Sequence, residues 1–416
     1  MMRPARQRLL PAGEVPPRDP FASHPLRREV QRERSIARLL GLRDPYYRVR
    51  PEQSTTRACL DGRALRNFAS YDYLGLNGHP EVLAAHGEAA RRWGTSVSGS
   101  RLTSGERPIH GALEAALAAF HGLPASVAFV SGHAGAVSVI STLMGPRDLV
   151  VHDELAHNSL VMGAQASRAA RVVFRHNDLA HLDEQLRRLR HLHERALIVS
   201  EGLFSMSGDG PDLRELVRLK ERHGAWLMMD EAHALGVLGA TGRGSFEQLG
   251  VEPGAVDIWM GTLSKTLASC GGYIAGSRAL VDMLRHTLPG FVYSVGLAPP
   301  LAAAAARALE LLHAEPWRVA RLQANARHFR DAVRAAGFDT GRSCGLGIVP
   351  VILGDSLATL QVAAALVAAG VNVQPICFPV VPDGEARLRF FLSAGHETAE
   401  LDRSVEALRA AMRAVA

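Results

Sequence analysis

The sequence predicts an α/β protein: a large domain on a mostly parallel sheet, followed by a smaller α/β C-terminal domain. Three observations carry this. From about residue 66 to 295, short apolar runs alternate with stretches of helical spacing. From about residue 297 the pattern turns into two long Ala/Leu/Arg helices and a compact strand–helix–strand tail. The chain has 416 residues, 47% hydrophobic and 21% charged, which is enough to bury a sizeable core at ordinary globular composition.

In chain order, residues 1–65 are rich in Arg, Pro and Gln and read as an N-terminal arm, with one amphipathic helix over 25–41. Residues 66–296 form the large domain. Buried strands are expected at Ser126–Val130, Asp148–His152, Arg171–Phe174, Ala196–Ser200, Ala225–Met229, Asp257–Gly261 and Gly272–Ala275. Between them, Leu179–His191 and Asp212–His223 carry helical spacing. Strand–helix alternation of this length covers both faces of a sheet, and ligands of such sheets sit at the carboxyl ends of the strands. Residues 297–416 form the small domain: helices at about 297–314 and 316–336, then a βαβ-like unit. Its strands fall near Gly347–Ile352, Asn372–Pro375 and Arg387–Leu392, with a closing helix from about Ala399.

Several function classes fall away. No apolar run reaches the roughly 18 residues of a spanning helix; the longest, Leu297–Leu309, is broken by prolines and an arginine. The four cysteines (Cys59, Cys270, Cys344, Cys377) are scattered, which fits neither a disulfide framework nor a zinc site, so no metal is expected. With no apolar secretory core in the opening residues, a reducing cytoplasm is the expected location. The net charge of +6 raises the question of nucleic acid, but only Lys220 and Lys265 are lysine. An excess built almost wholly from Arg reads as coding bias rather than a phosphate-binding patch, and no nucleic-acid partner is expected.

Asp230-Glu231-Ala232-His233 follows the run AWLMM directly. In a helicase-type ATPase such an acidic motif holds magnesium, but that chemistry needs a phosphate loop ending in Gly-Lys. Neither lysine follows a glycine, so the ATPase reading fails. Lys265 lies just beyond another strand, in Gly261-Thr262-Leu263-Ser264-Lys265, and Gly271-Gly272 follows. A lysine in an apolar strand end is suited to a lowered pKa and to imine chemistry, whereas Lys220, in RLKERHG, suits a solvated helix face. A carboxylate and an amine at neighbouring strand ends are what pyridoxal phosphate requires: the carboxylate keeps the ring nitrogen protonated and the lysine holds the aldehyde. Ser131-Gly132-His133 opens a helix after a strand and offers backbone amides to the phosphate. Thr262 and Ser264 add hydroxyls. His157, after the run 148–152, is placed to lie on the ring, and His233 to reach its hydroxyl.

Nine stretches in sequence order then resemble the α-oxoamine synthases, fold-type-I pyridoxal-phosphate enzymes. They are NFASYDYLGL (67–76), GTSVSGSRLTSGERPIHGALE (94–114), FVSGHAG (129–135), HDELAHNSL (152–160), EGLFSMSGDGPDL (201–213), MDEAHALGVLGATGRG (229–244), GTLSKTLASCGG (261–272), FVYSVGLAPP (291–300) and ARLRFFLSAGHE (386–397). The resemblance implies catalytic roles for Lys265, His157, Asp230 and His233. It implies cofactor contacts from Gly132, His133, Ser205, Thr262 and, from a partner subunit, Ser294, with Glu201 in support. Arg389 would take the amino-acid carboxylate, with Tyr71 beside it, while Arg387 shares the strand face. The family forms homodimers with shared sites. It condenses an amino acid with an acyl thioester, on coenzyme A or a carrier protein, and releases carbon dioxide, thiol and an α-amino ketone.

Tyr71 stands where many members have Asn, Val295 where many have a second hydroxyl, and His133 where an aromatic is common. Tyr71 and Val295 resemble serine palmitoyltransferase and polyketide-pathway synthases more than the biotin-pathway or 5-aminolevulinate enzymes. An aminotransferase or another fold-type-I enzyme is the alternative within the fold. A non-catalytic binding module is disfavoured by the intact Lys265, Asp230, His233 and Arg389 set.

Overall fold

The computed structural model describes residues 19, 21–39, 46–51 and 54–415. The chain divides into two compact units, residues 1–49 and 50–416. The first contains the helix Pro25–Leu39, with Leu26 and Val30 exposed. Residues 1–18 of the expected arm and the helix end expected at 40–41 lie outside the described residues.

The second unit is organised by a seven-stranded sheet in the order Ala125–Phe129, Gly272–Gly276, Ile258–Thr262, Trp226–Asp230, Ala196–Glu201, Leu149–Asp153, Ala170–Phe174. Gly272–Gly276 runs antiparallel to both neighbours and the remaining pairs are parallel. All seven strands fall within a residue or two of the expected runs. Central strands such as LVVHD and ALIVSE are buried along their whole length, which is why they read as unbroken apolar runs. Alternate residues feed two cores. Val151, Ile198, Met229 and Trp259 face one; Val150, Leu197, Met228 and Ile258 face the other.

The crossover helices begin and end where their caps dictate. Asp212 accepts the amides of Arg214 and Glu215 to start Leu213–His223, and Gly224, in the left-handed region at φ 58°, stops it. Pro299 opens the helix Pro299–Ala314, and Trp317–Ala335 follows.

The C-terminal part departs from expectation in one place. The single strand expected over 372–375 is two strands in different sheets. Val371–Asn372 runs parallel to Arg63–Asn67 of a hairpin that begins at Arg57, while Gln374–Ile376 pairs with Ala386–Phe391. The split follows from proline chemistry: Pro375 donates no hydrogen bond, and Gln374–Ile376 occupies a sheet edge. Ile348–Gly354 pairs with the other side of Ala386–Phe391, so the βαβ unit around helix Ser356–Ala368 is split by that strand. The hairpin Arg57–Asn67 was not expected. The closing helix is Thr398–Val415. Among the described residues no helix is long and apolar enough to cross a membrane, and no group of His, Cys, Asp and Glu is arranged to hold a metal ion.

Candidate active site

The parallel register brings the carboxyl ends of the central strands level. Glu201 pairs with Asp230, and Asp230 with Met260, at the ends of three neighbouring strands. Asp230 is buried and one carboxylate oxygen accepts the Ala232 amide at 2.8 Å. Burial raises its pKa against the pull of Lys265. Glu201 is raised well above the usual carboxylate range by burial, with Asp230 adding to it.

Lys265 lies in the turn after Ile258–Thr262. Part of its surface is open, yet the surrounding protein strips enough water to bring its ammonium down to about 8, against the attraction of Asp230 and Glu201. Among the described residues the amine has no hydrogen-bond or ion-pair partner. The Tyr71 ring centroid lies 5.8 Å from Nζ. An unpaired, desolvated amine facing a carboxylate-lined strand end is primed for reaction rather than for structure.

Ser131 caps the helix Gly132–Leu143, accepting the Ala134 amide at 3.2 Å. Gly132 sits against Thr262: a Cβ built on Gly132 would stand 3.3 Å from Thr262 Oγ1. The free amides at this helix start, with Thr262 alongside, make an anion cradle. Thr262 Oγ1 donates to Gly271 O at 2.9 Å and accepts the Ser264 amide, which fixes the turn that carries Lys265. His133 is exposed; its ring meets that of His157 edge-on at 6.3 Å.

His157 caps the helix Asn158–Ala166, its Nδ1 accepting the Ser159 amide at 3.3 Å, and its own amide donates to Glu201 Oε1 at 2.6 Å. The ring is open to solvent, but the protein on its flank lowers its pKa by desolvation. His233 is buried and neutral: desolvation holds it well below its usual value, and Lys265 and Arg389 reinforce this.

The strand Ala386–Phe391 supplies the opposite wall. By period two, Arg387, Arg389 and Phe391 share a face. Arg389 is 7% exposed; it donates to Ser205 O and Tyr71 Oη, both at 3.3 Å, and lies over the Phe391 ring at 4.7 Å. Its Nε is buried without a partner. An orphaned guanidinium donor beside Lys265 fits an incoming carboxylate. Arg387 is buried too, but its fork is used by Glu385 and Met206 O. The structure thus gathers Lys265, Asp230, His233, Arg389, Tyr71 and Ser205 into one cluster. Ser294 stands apart, in the bend before Pro299–Ala314, between Tyr293 at 88% exposure and Val295 at 49%. Two members of the cluster went unread in the sequence. Phe391 stacks on His233 with centroids 6.1 Å apart, and Tyr73 Oη lies 2.7 Å from His233 Nδ1. The period-two pattern of ARLRFF points to Phe391; no spacing signal points to Tyr73, 160 residues from its partner.

This geometry is that of a fold-type-I pyridoxal-phosphate transferase, and the chain belongs to the aminotransferase class I and II family, whose pattern matches residues 64–408. Its curated relatives are more particular. It is 44% identical to an 8-amino-7-oxononanoate synthase of Anaeromyxobacter sp. (strain K) over 89% of this chain and 92% of that one. It is 42% identical to the enzyme of that name from Geobacter metallireducens, over 91% and 96%. Among solved structures, a serine palmitoyltransferase with pyridoxal phosphate as its internal aldimine superimposes with a TM-score of 0.91, at 32% identity, covering 96% of this chain and 99% of that one. The Sphingomonas wittichii serine palmitoyltransferase gives 0.90 at 32% identity, over 95% and 99%. Both kinds of enzyme are α-oxoamine synthases.

Proposed function

We propose that this chain is a pyridoxal-phosphate-dependent C-acyltransferase. It condenses an α-amino acid with an acyl thioester and releases carbon dioxide, free thiol and an α-amino ketone. The observation that carries this is Lys265: a desolvated, unpartnered amine between Asp230 and the Tyr71–Arg389 pair.

The residues fit the cofactor. The Gly132 and His133 amides with Thr262 hold the phosphate, and a side chain at Gly132 would fill that space. Asp230 has a carboxylate oxygen free to hold a proton on the ring nitrogen. His233 would meet the ring oxygen, His157 would cover the ring face and Ser205 would stand beside it. Lys265 would hold the aldehyde until a substrate amine displaces it. Bound there, pyridoxal phosphate supplies an electron sink for charge developing at the substrate α-carbon.

The protein's own groups do the rest. Arg389 clamps the amino-acid carboxylate, with Tyr71 holding one arm of the guanidinium. This orients the α-C–H toward Lys265. Displaced from the aldehyde by the substrate's amino group, the lysine, its ammonium brought down to about 8, would have a neutral fraction near neutral pH that could take the α-proton at Nζ. His157, neutral and at the mouth, orients the incoming thioester. We place the cofactor on residues 66–296 and the carboxylate clamp on residues 297–416; of the expected arm, Arg57–Leu65 belong instead to the hairpin that pairs with Val371–Asn372. We further propose a cytoplasmic homodimer in which Ser294 serves the partner's phosphate; the exposed Tyr293 and Val295 beside it support that.

The test is an absorbance spectrum of the protein with pyridoxal phosphate. A near-visible band that Lys265→Ala abolishes, followed by thiol release from an acyl thioester in the presence of an amino acid, supports the proposal. Conversion of the amino acid to an oxo acid without thiol release would identify an aminotransferase instead.

A further inference from the structure

Tyr73 is 0% exposed, and among the described residues His233 Nδ1, at 2.7 Å, is the one hydrogen-bond partner of its hydroxyl. His233 is also held by its ring faces and edges. Phe391 stacks on it with 14° between planes, and Tyr71 meets it edge-on at 5.8 Å. His233 is 8% exposed and its Nε2 has no protein partner among the described residues. A ring nitrogen without a protein partner, on a buried residue beside Lys265 and Arg389, points to a ligand atom.

The proton inventory has few solutions. If His233 carried its proton on Nδ1, it would donate to the Tyr73 oxygen, and the phenol proton would have no acceptor. A buried donor left unsatisfied costs about 1–3 kcal/mol. A doubly protonated ring is opposed by burial and by the neighbouring Lys265 and Arg389 charges. Burial also keeps the Tyr73 hydroxyl protonated. The remaining arrangement has Tyr73 donating to Nδ1 and the histidine proton on Nε2.

We propose that Tyr73 is a positioning residue: its hydroxyl fixes the tautomer of His233, so that Nε2 presents an N–H to the phenolic oxygen of pyridoxal phosphate. This rests on the cofactor reading above. The consequence is one of sign. An Nε2–H stabilises negative charge on that oxygen, whereas the other tautomer turns a lone pair toward it.

The experiment uses protein labelled with ¹⁵N-histidine, with His233→Gln identifying the His233 signals by subtraction. The wild-type protein without cofactor shows the proton on Nε2, and Tyr73→Phe loses that preference. Titration with pyridoxal phosphate shows affinity about five- to tenfold weaker in Tyr73→Phe, the loss of one hydrogen bond's orienting effect. In a His233→Gln background the same substitution changes affinity less than about twofold, because Tyr73 then has nothing to orient. A proton on Nδ1 in the wild type, a tautomer unchanged in Tyr73→Phe, or losses that multiply in the double variant overturns the proposal. Should Tyr73→Phe fail to fold, the wild-type tautomer still decides. A wild-type protein with the Nε2 proton that nonetheless takes up no pyridoxal phosphate sinks the cofactor reading and leaves the tautomer assignment standing.

Discussion

The backbone N–H of His157 donates to Glu201 Oε1 at 2.6 Å, tying the loop after Leu149–Asp153 to the end of the neighbouring strand. Glu201 is buried, and burial beside Asp230 favours its neutral form. What the loop needs from it is an acceptor oxygen, not a charge. Glu201→Gln keeps that oxygen and is expected to retain kcat within about threefold. Glu201→Ala leaves a buried amide unpaired at a cost of about 1–3 kcal/mol, a loss of about five- to a hundredfold in kcat as His157 drifts. Steady-state kinetics of both variants decide it. An alanine variant with wild-type kcat would mean that His157 needs no such anchor.

Arg389 is the second residue whose geometry fixes an outcome. Its two terminal nitrogens reach Ser205 O, Met206 Sδ and Tyr71 Oη, and Nε is free. A lysine there keeps the charge but loses the planar fork. Arg389→Lys is expected to raise the amino-acid KM about 10- to 100-fold, the worth of one charge-assisted bond, while kcat changes less. An unchanged KM would place the carboxylate elsewhere.

Asp230 and Lys265 were legible because each stands at or just beyond the end of a mostly buried apolar strand, where a polar residue stands out. Gly132 was legible because it opens a helix just after a strand, behind the cap Ser131. The central sheet strands were legible for the same reason: burial on both faces leaves no polar alternation to confuse. The hairpin Arg57–Asn67 was hidden because three arginines (Arg57, Arg63, Arg66) interrupt it and mask a short alternating pattern. The split at 371–376 depends on which sheet each half joins, and pairing partners more than 300 positions apart in one case and about a dozen in the other leave no local trace. His176, in the polar stretch RHND, reads as a solvated loop, yet its side chain is 9% exposed. Tertiary packing, not local pattern, placed it.

The cradle around Gly132 makes a steric prediction. A Cβ on Gly272 would stand 2.8 Å from the Gly132 amide nitrogen and 3.1 Å from Gly261 O, both backbone atoms that cannot rotate away. Gly272→Ala must therefore displace the Gly132 amide, which is proposed to hold the phosphate. Overpacking of this kind costs about 1–3 kcal/mol, here expressed as affinity for pyridoxal phosphate about five- to a hundredfold weaker. Gly254→Ala, where nothing lies within 4 Å, is the control and is expected to bind normally. Equal affinities for the two variants would remove Gly132 from the phosphate site.

His176 links the loop that carries His157 to the loop that carries Ser205. Its Nδ1 lies 2.9 Å from Asp153 Oδ1 and its Nε2 3.1 Å from Asp209 Oδ2, while Glu154 accepts its backbone amide and Phe204 meets its ring edge-on at 4.5 Å. Burial works to lower its pKa, but the hydrogen bonds to Asp153 and Asp209 outweigh it and lift the imidazolium to about 9. The native value lies above the unfolded value of about 6.5, so the native state holds the proton more tightly. The stabilisation is complete below pH about 6.5, where both states are protonated. It is lost as pH rises toward 9, because the unfolded chain releases its proton first and the native state then gives up its own. After allowance for solvent screening the contribution is about 1–2 kcal/mol. Urea unfolding of the wild type and of His176→Gln across this window measures it. The stability difference between the two is expected to shrink by that amount on going from pH 6.5 to above 9. A difference that stays flat would show that His176 is neutral in the folded protein, and that the two loops are joined by hydrogen bonds alone.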